Sequence, residues 1–144
     1  VIKDAHLHPT EKTLAKFRDK PLSWKGANCI KLARKQAINM GHQVPPVPLF
    51  ASERGAIKAL RKQGVRSTAE LLDKWFERHP APAFAELGDL VVLPGDRDGE
   101  RDDVLAAIGI ADGRGNVFAW HGSDLSKMSV IKLAETEIIA AWKL

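Results

Sequence analysis

The pattern of apolar residues changes character once, at Pro80 and Pro82, and that change restricts the chain to few folds. Before it, apolar side chains recur at the three-to-four-residue spacing of amphipathic helices. After it, they come in short runs separated by glycine turns, as strands do. Helices first and strands afterwards is the order of an α+β domain, not of the alternation that builds a parallel sheet. The expected fold is α+β, with N-terminal helices packed on a C-terminal antiparallel sheet.

Thr10 is placed to cap a short helix reaching about Asp19, with Leu14 and Phe17 inward and Pro21 beyond its end. Asn28 is placed to cap a second helix to Met40, where Gly41 suits the left-handed closing position. Its apolar stripe is Cys29, Leu32, Ala33, Ala37 and Met40. The three prolines of His42–Leu49 require an extended connection. Ser52 and Gly64 bracket a third helix. Ser67 and Glu70 form the S-x-x-E pattern of a capping box before a fourth, which carries Leu71, Leu72, Trp75 and Phe76.

In the second half, residues 88–93 read as a strand and the charged stretch 94–103 as a hairpin loop. Val104–Ala111, apolar almost throughout, reads as a central strand covered on both faces. Val117–His121 reads as a strand with Phe118 and Trp120 on one side and Val117, Ala119 and His121 on the other. Short strands at 128–132 and 138–142 complete an antiparallel meander.

Composition then excludes several functions. A chain of 144 residues is one domain, too short for a full (β/α)₈ barrel. One cysteine forms no internal disulfide and no cysteine-only metal or iron–sulfur site. No window approaches the ~20 apolar residues of a membrane span, and Val1–Pro9 lacks the apolar core of a secretion signal. Lys and Arg number 22 against 18 Asp and Glu. The clusters Lys58, Arg61, Lys62 and Lys31, Arg34, Lys35 read as solvated helix faces without stacking aromatics, so no nucleic-acid partner is expected. Asp4, His6 and His8 imitate a metal-binding D-x-H-x-H start, but belong to a barrel this length cannot form. Asp96, Asp98, Glu100 and Asp102 alternate, yet Gly99 falls fourth and Ala107 twelfth, which is not an EF-hand loop. No cofactor or metal is expected.

Cys29 carries the sharpest chemical signal. At the first turn of a helix, unpaired amides and the helix dipole favour a thiolate, as a nucleophile requires. On the apolar stripe, the same residue is a small buried hydrophobe. A nucleophile also needs a base. His121, in the strand half, is the best-placed candidate by elimination, against a structural role. His42 and His79 stand just beyond helix ends, where they read as C-terminal capping residues.

Taken in order, Ser23-Trp24-Lys25-Gly26-Ala27-Asn28-Cys29, Gly88-Asp89-Leu90-Val91-Val92 and Ala107-Ile108-Gly109-Ile110-Ala111 resemble the NlpC/P60 branch of the papain-like cysteine peptidase fold. Within it, the chain resembles a small family of phage tail-associated proteins. The likeness rests on the W-x-G-x-[DN]-C start, Phe50–Ala56, the strand with Gly109, and Ala141-Trp142-Lys143. The resemblance implies an N-terminal segment over 1–22 with a short helix and a single NlpC/P60-like domain over 23–144. It also implies a papain-like fold with Cys29 as nucleophile. The family's catalytic histidine position falls on Ala107, which cannot be a base, and its third polar position falls near Ala119 or on His121. Asn28 stands where relatives often have Asp. The resemblance therefore implies a degenerate peptidase fold serving as a tail-tip or tail-assembly component of the virion, made in the bacterial cytoplasm and docked on a larger tail hub protein. The alternative is an active amidase or endopeptidase that cleaves cell-wall peptides of peptidoglycan with Cys29 and His121.

Overall fold

Four helices form where the spacing predicts them, in a computed structural model that describes residues 8–144, and a side chain fixes each start. Helix α1 spans Pro9–Phe17. Its cap is His8, not Thr10: Nδ1 of His8 accepts from the Thr10 amide at 3.1 Å. Pro9 is the reason for the shift, since its fixed φ and missing amide suit the first helical position. Thr10 is buried instead. Helix α2 spans Cys29–Asn39, capped by Asn28 and closed before Gly41 at φ 95°. Helix α3 spans Glu53–Lys62, with Ser52 accepting from the Gly55 amide. Helix α4 spans Thr68–Trp75. Ser67 accepts from the Glu70 amide, but the Glu70 carboxylate reaches back to the Arg66 amide at 3.0 Å, one residue beyond the usual capping-box partner.

The strands are β1 (Leu90–Val92), β2 (Asp96–Arg97), β3 (Glu100–Arg101), β4 (Ile108–Ala111), β5 (Asn116–Ala119), β6 (Ser129–Lys132) and β7 (Ala140–Trp142). Five make one antiparallel sheet in the order β6-β5-β4-β1-β7, and β2 and β3 form a separate hairpin. At the hairpin tip Asp98 and Gly99 both have positive φ, 56° and 81°, as a two-residue turn of this hand requires. The meander therefore holds for β1, β4, β5 and β6 but not for β7. That strand crosses back to pair with β1, Leu90 opposite Trp142. All three residues of β7 are buried, which demands a place with cover, whereas β6 carries exposed Val130 at the free edge.

The long strand expected over Val104–Ala111 is shorter, beginning only at Ile108. The Ala107 carbonyl still accepts from the Leu93 amide, but those of Val104 and Ala106 are claimed elsewhere. The Thr68 amide donates to Val104 and its hydroxyl to Ala106 at 2.8 Å, so α4 draws this segment out of the ladder. Apolar residues there pack beneath a helix start rather than in a sheet.

Alternation sorts the sheet into two faces. Leu90, Val92, Ile108, Ile110, Ala140 and Trp142 join the helices in the main core, with Leu14 and Phe17 of α1 in the same cluster. Val91, Leu93, Ala111, Val117, Ala119 and Ala141 form a thinner second core on the opposite face. Beside β5 that face leaves no room for a side chain at Gly109. A Cβ on Gly109 would stand 2.8 Å from the Phe118 carbonyl and meet the Val117 side chain.

Candidate functional site

The site is built around the start of α2. Asn28 is fully buried, and its Oδ1 accepts from the Lys31 amide at 3.1 Å. Its Nδ2 faces the carbonyls of Ser23, Trp24 and Gly26 at 3.2–3.3 Å, curling residues 23–28 into the helix. An aspartate could cap α2 but has no hydrogen for those carbonyls, so the amide explains asparagine at this position.

Cys29 follows as the first helical residue, only 6% exposed. Its thiol is directed at the Ala106 carbonyl, 4.0 Å away across the core. Burial pushes the thiol from the ordinary 9.0 up to about 11, although the amides of Ile108, Cys29 and Ile30 pull it the other way. The expected helix-dipole activation exists but is outweighed. A dipole contributes about 0.3–1 kcal/mol, while a shift of this size corresponds to about 3 kcal/mol against the thiolate.

Cys29, Ala107 and His121 line one cavity of about 590 Å³. Trp24, Leu22 and Leu125 supply apolar walls, and the hairpin base and Trp120 complete it. Its charged rim is a chain of ion pairs, Glu53 to Arg97 at 3.4 Å and Arg97 to Asp102 at 3.7 Å. No sequence signal pairs Glu53 with Arg97, because they come from separate elements whose contact depends on the fold.

His121 does not sit on the face that alternation assigned to it. Strand β5 ends at Ala119 and the chain bends, so the period of two stops before His121. The residue lines the cavity instead. Among the described residues, no hydrogen bond joins it to Cys29. The thiol lies against the backbone of 106–108, the segment that carries Ala107. Ala119, the other possible third position, is buried in the second core.

The other histidines hold structure together. Asp4 and His6 lie outside the described residues, and His8 caps α1. His42 helps to close α2 through its backbone amide, which donates to the Ala37 carbonyl, while its imidazole Nε2 hydrogen-bonds the Leu144 carbonyl at 2.9 Å. His79 is four residues past the end of α4 and pairs with Asp89, Nε2 to Oδ2 at 2.6 Å, both side chains at least nine-tenths buried. Asp89 also accepts from the amides of Glu86 and Leu144, tying the start of β1 to the end of β7. The Gly88-Asp89 pair thus anchors the sheet. Among the described residues, no helix is long and apolar enough to cross a membrane, and no cluster of three metal-ligating side chains occurs.

Comparison with curated proteins and with solved structures gives no match. A family model does match, over residues 4–144, and so takes in α1, the start of α2, the cavity and the sheet together. With nearly the whole chain matched, the protein belongs to DUF6950, a family described as a domain of unknown function.

Proposed function

We propose that this protein is a non-catalytic docking component of a phage tail, a degenerate relative of NlpC/P60 peptidases that holds a larger tail protein. The observation that carries the loss of catalysis is the state of Cys29. Its thiol is buried and pushed up to about 11, and it lies beside Ala107, where the peptidase pattern would place a base. A helix-opening cysteine set against the start of a central strand also suits a papain-like ancestry. The tail assignment rests on the motif likeness from Ser23 to the C-terminal Ala141-Trp142-Lys143. The test is a phage carrying Cys29→Ala. Tails assemble normally and the variant protein still co-purifies with its tail partner; a folded variant that blocks assembly refutes the reading.

One observation favours a second reading. Cys29 and His121 line the same cavity, so an imidazole could serve the thiol there once substrate rearranges the site. In that case Cys29 attacks a cell-wall peptide amide with His121 as base. Peptidoglycan-fragment cleavage that disappears in both Cys29→Ala and His121→Ala establishes it. Absence of cleavage by the wild-type protein rules it out.

A further inference from the structure

A second concavity, of about 580 Å³, lies between α1, α2 and the proline-rich strap before α3. Lys16, Lys20, Lys31, Arg34 and Lys35 line it, and no carboxylate does. Among the described residues none of these five forms an ion pair. Lys31 and Arg34 donate only to the carbonyls of Lys25 and Pro45. The floor is apolar, with Phe17 and Ile30 from the core and Val47 and Phe50 from the strap. On the rim stands Leu49, 90% exposed. The cluster that reads as a solvated helix face in the sequence is therefore one wall of a groove.

We infer that this groove docks an acidic segment of a partner protein, one that carries apolar side chains between its carboxylates. Charge complementarity selects the sign, since five cations without a carboxylate among them leave a positive field for an anionic partner to neutralise. The apolar floor and Leu49 select the class. A phosphate backbone would satisfy the lysines but leave Val47, Leu49 and Phe50 uncovered. A peptide alternating Glu with Leu or Phe covers both. The volume suits a few side chains, so the occupant is a short segment rather than a whole domain. The strap has the rigidity to receive it: Pro45, Pro46 and Pro48 fix its backbone, and the Arg34 bond to Pro45 pins it to α2. The assignment rests on reading the protein as a docking component, and it names the face that docks.

The experiment measures fluorescence anisotropy of the intact protein with a labelled short peptide alternating Glu with Leu and Phe. Parallel probes are a Glu-to-Gln version, a version with Ser for Leu and Phe, a single-stranded and a duplex oligonucleotide, and phosphatidylglycerol vesicles. The acidic apolar peptide should bind tightest, weaken as salt rises, and lose at least about tenfold with either altered peptide. The double variant Lys16→Glu, Lys35→Glu should weaken it by a similar factor, and Leu49→Ser independently. Neither the Lys16 nor the Lys35 side chain makes a hydrogen bond or ion pair among the described residues, but Lys16 lies in the last turn of α1 with Nζ 5.6 Å from the Phe17 ring centroid, so a small drop in melting temperature with the fold retained is expected. Tighter binding of an oligonucleotide or of vesicles overturns the inference, as does an unaltered peptide affinity in the double variant or no peptide binding at all. If the double variant still co-purifies with the tail partner, the groove assignment fails and the docking reading stands. Loss of assembly with Cys29→Ala removes the non-catalytic reading without touching the groove.

Discussion

A single cysteine makes thiol chemistry a clean probe of the site, because every thiol alkylation reports on Cys29 and the rate in Cys29→Ala subtracts labelling of amines and imidazoles. The perturbation is pH. An ordinary thiol at 9.0 is about 1% thiolate at pH 7, whereas one near 11 is about 0.01% thiolate. The structure therefore predicts that iodoacetamide modifies native Cys29 about a hundredfold more slowly at pH 7 than the same residue in urea-unfolded chain. Burial of the sulfur adds to that factor, because the reagent must enter through the cavity. Rates are read by mass spectrometry of the intact protein. The native rate should rise about tenfold per pH unit and show no plateau before about pH 11.

A catalytic thiol behaves in the opposite sense, with a base or helix amides stabilising the thiolate and a plateau well below 9. Native labelling as fast as the unfolded rate at pH 7, or a plateau below pH 8, would show that the balance between burial and the helix amides has been drawn wrongly. The same result would revive the enzymatic reading of Cys29 and His121.

Three further outcomes rest on the same contacts. Since the folded thiol titrates near 11 and the unfolded one near 9.0, stability is full below pH 9 and falls as pH rises from 9 to 11; chemical denaturation across that window should show about 3 kcal/mol of loss that Cys29→Ala lacks. Asn28→Asp keeps the cap acceptor but sets a carboxylate against the carbonyls of Ser23, Trp24 and Gly26, so it should lose about 2–4 kcal/mol in urea denaturation, more than is usual for a lost cap. Gly109→Ala forces a methyl into Val117 and the Phe118 carbonyl, and a drop of at least about 1–3 kcal/mol, read as a lower thermal midpoint, is expected.

Local chemistry was legible in the sequence at three of the four helix starts; at α1, Pro9 moves the cap from Thr10 to His8. Asn28, Ser52 and Ser67 cap their helices as their residue types predict, and Gly41 and Gly64 close theirs at positive φ. The charged stretch with Asp98-Gly99 is a hairpin. The larger failures needed a distant partner. Val104–Ala106 has the apolarity of a strand, but Thr68, 38 residues before Ala106, takes the Val104 and Ala106 carbonyls. The return of β7 to β1 depends on Asp89, His79 and the last residues of the chain meeting, and none of those separations is encoded in a local pattern. For the candidate site, the cysteine could be placed on its helix start, while the protonation state could not, because burial is set by segments far along the chain.

Those two levels meet at the Ala106 carbonyl. It accepts from the Thr68 hydroxyl at 2.8 Å and is also the group that the Cys29 thiol faces. The loop that would have to open to expose the sulfur is therefore held by the N-terminus of α4, through a buried side chain, and by the Thr68 amide on Val104. Thr68 has no chemistry to offer a peptide substrate; its two bonds fix the backbone and thereby seal one side of the thiol. Nucleophilic sites work in the opposite direction, with backbone fixed so that sulfur and base converge on open space. In this chain the segment before β4 is spent on packing α4 against the sheet, and Ala107 adds no polar group to the cavity it lines. The cleft has walls of Trp24, Leu22 and Leu125 and a rim of paired charges. Activating the thiol beneath that surface would require the Thr68 bonds to Val104 and Ala106 to break first, so Thr68→Val should speed alkylation of Cys29.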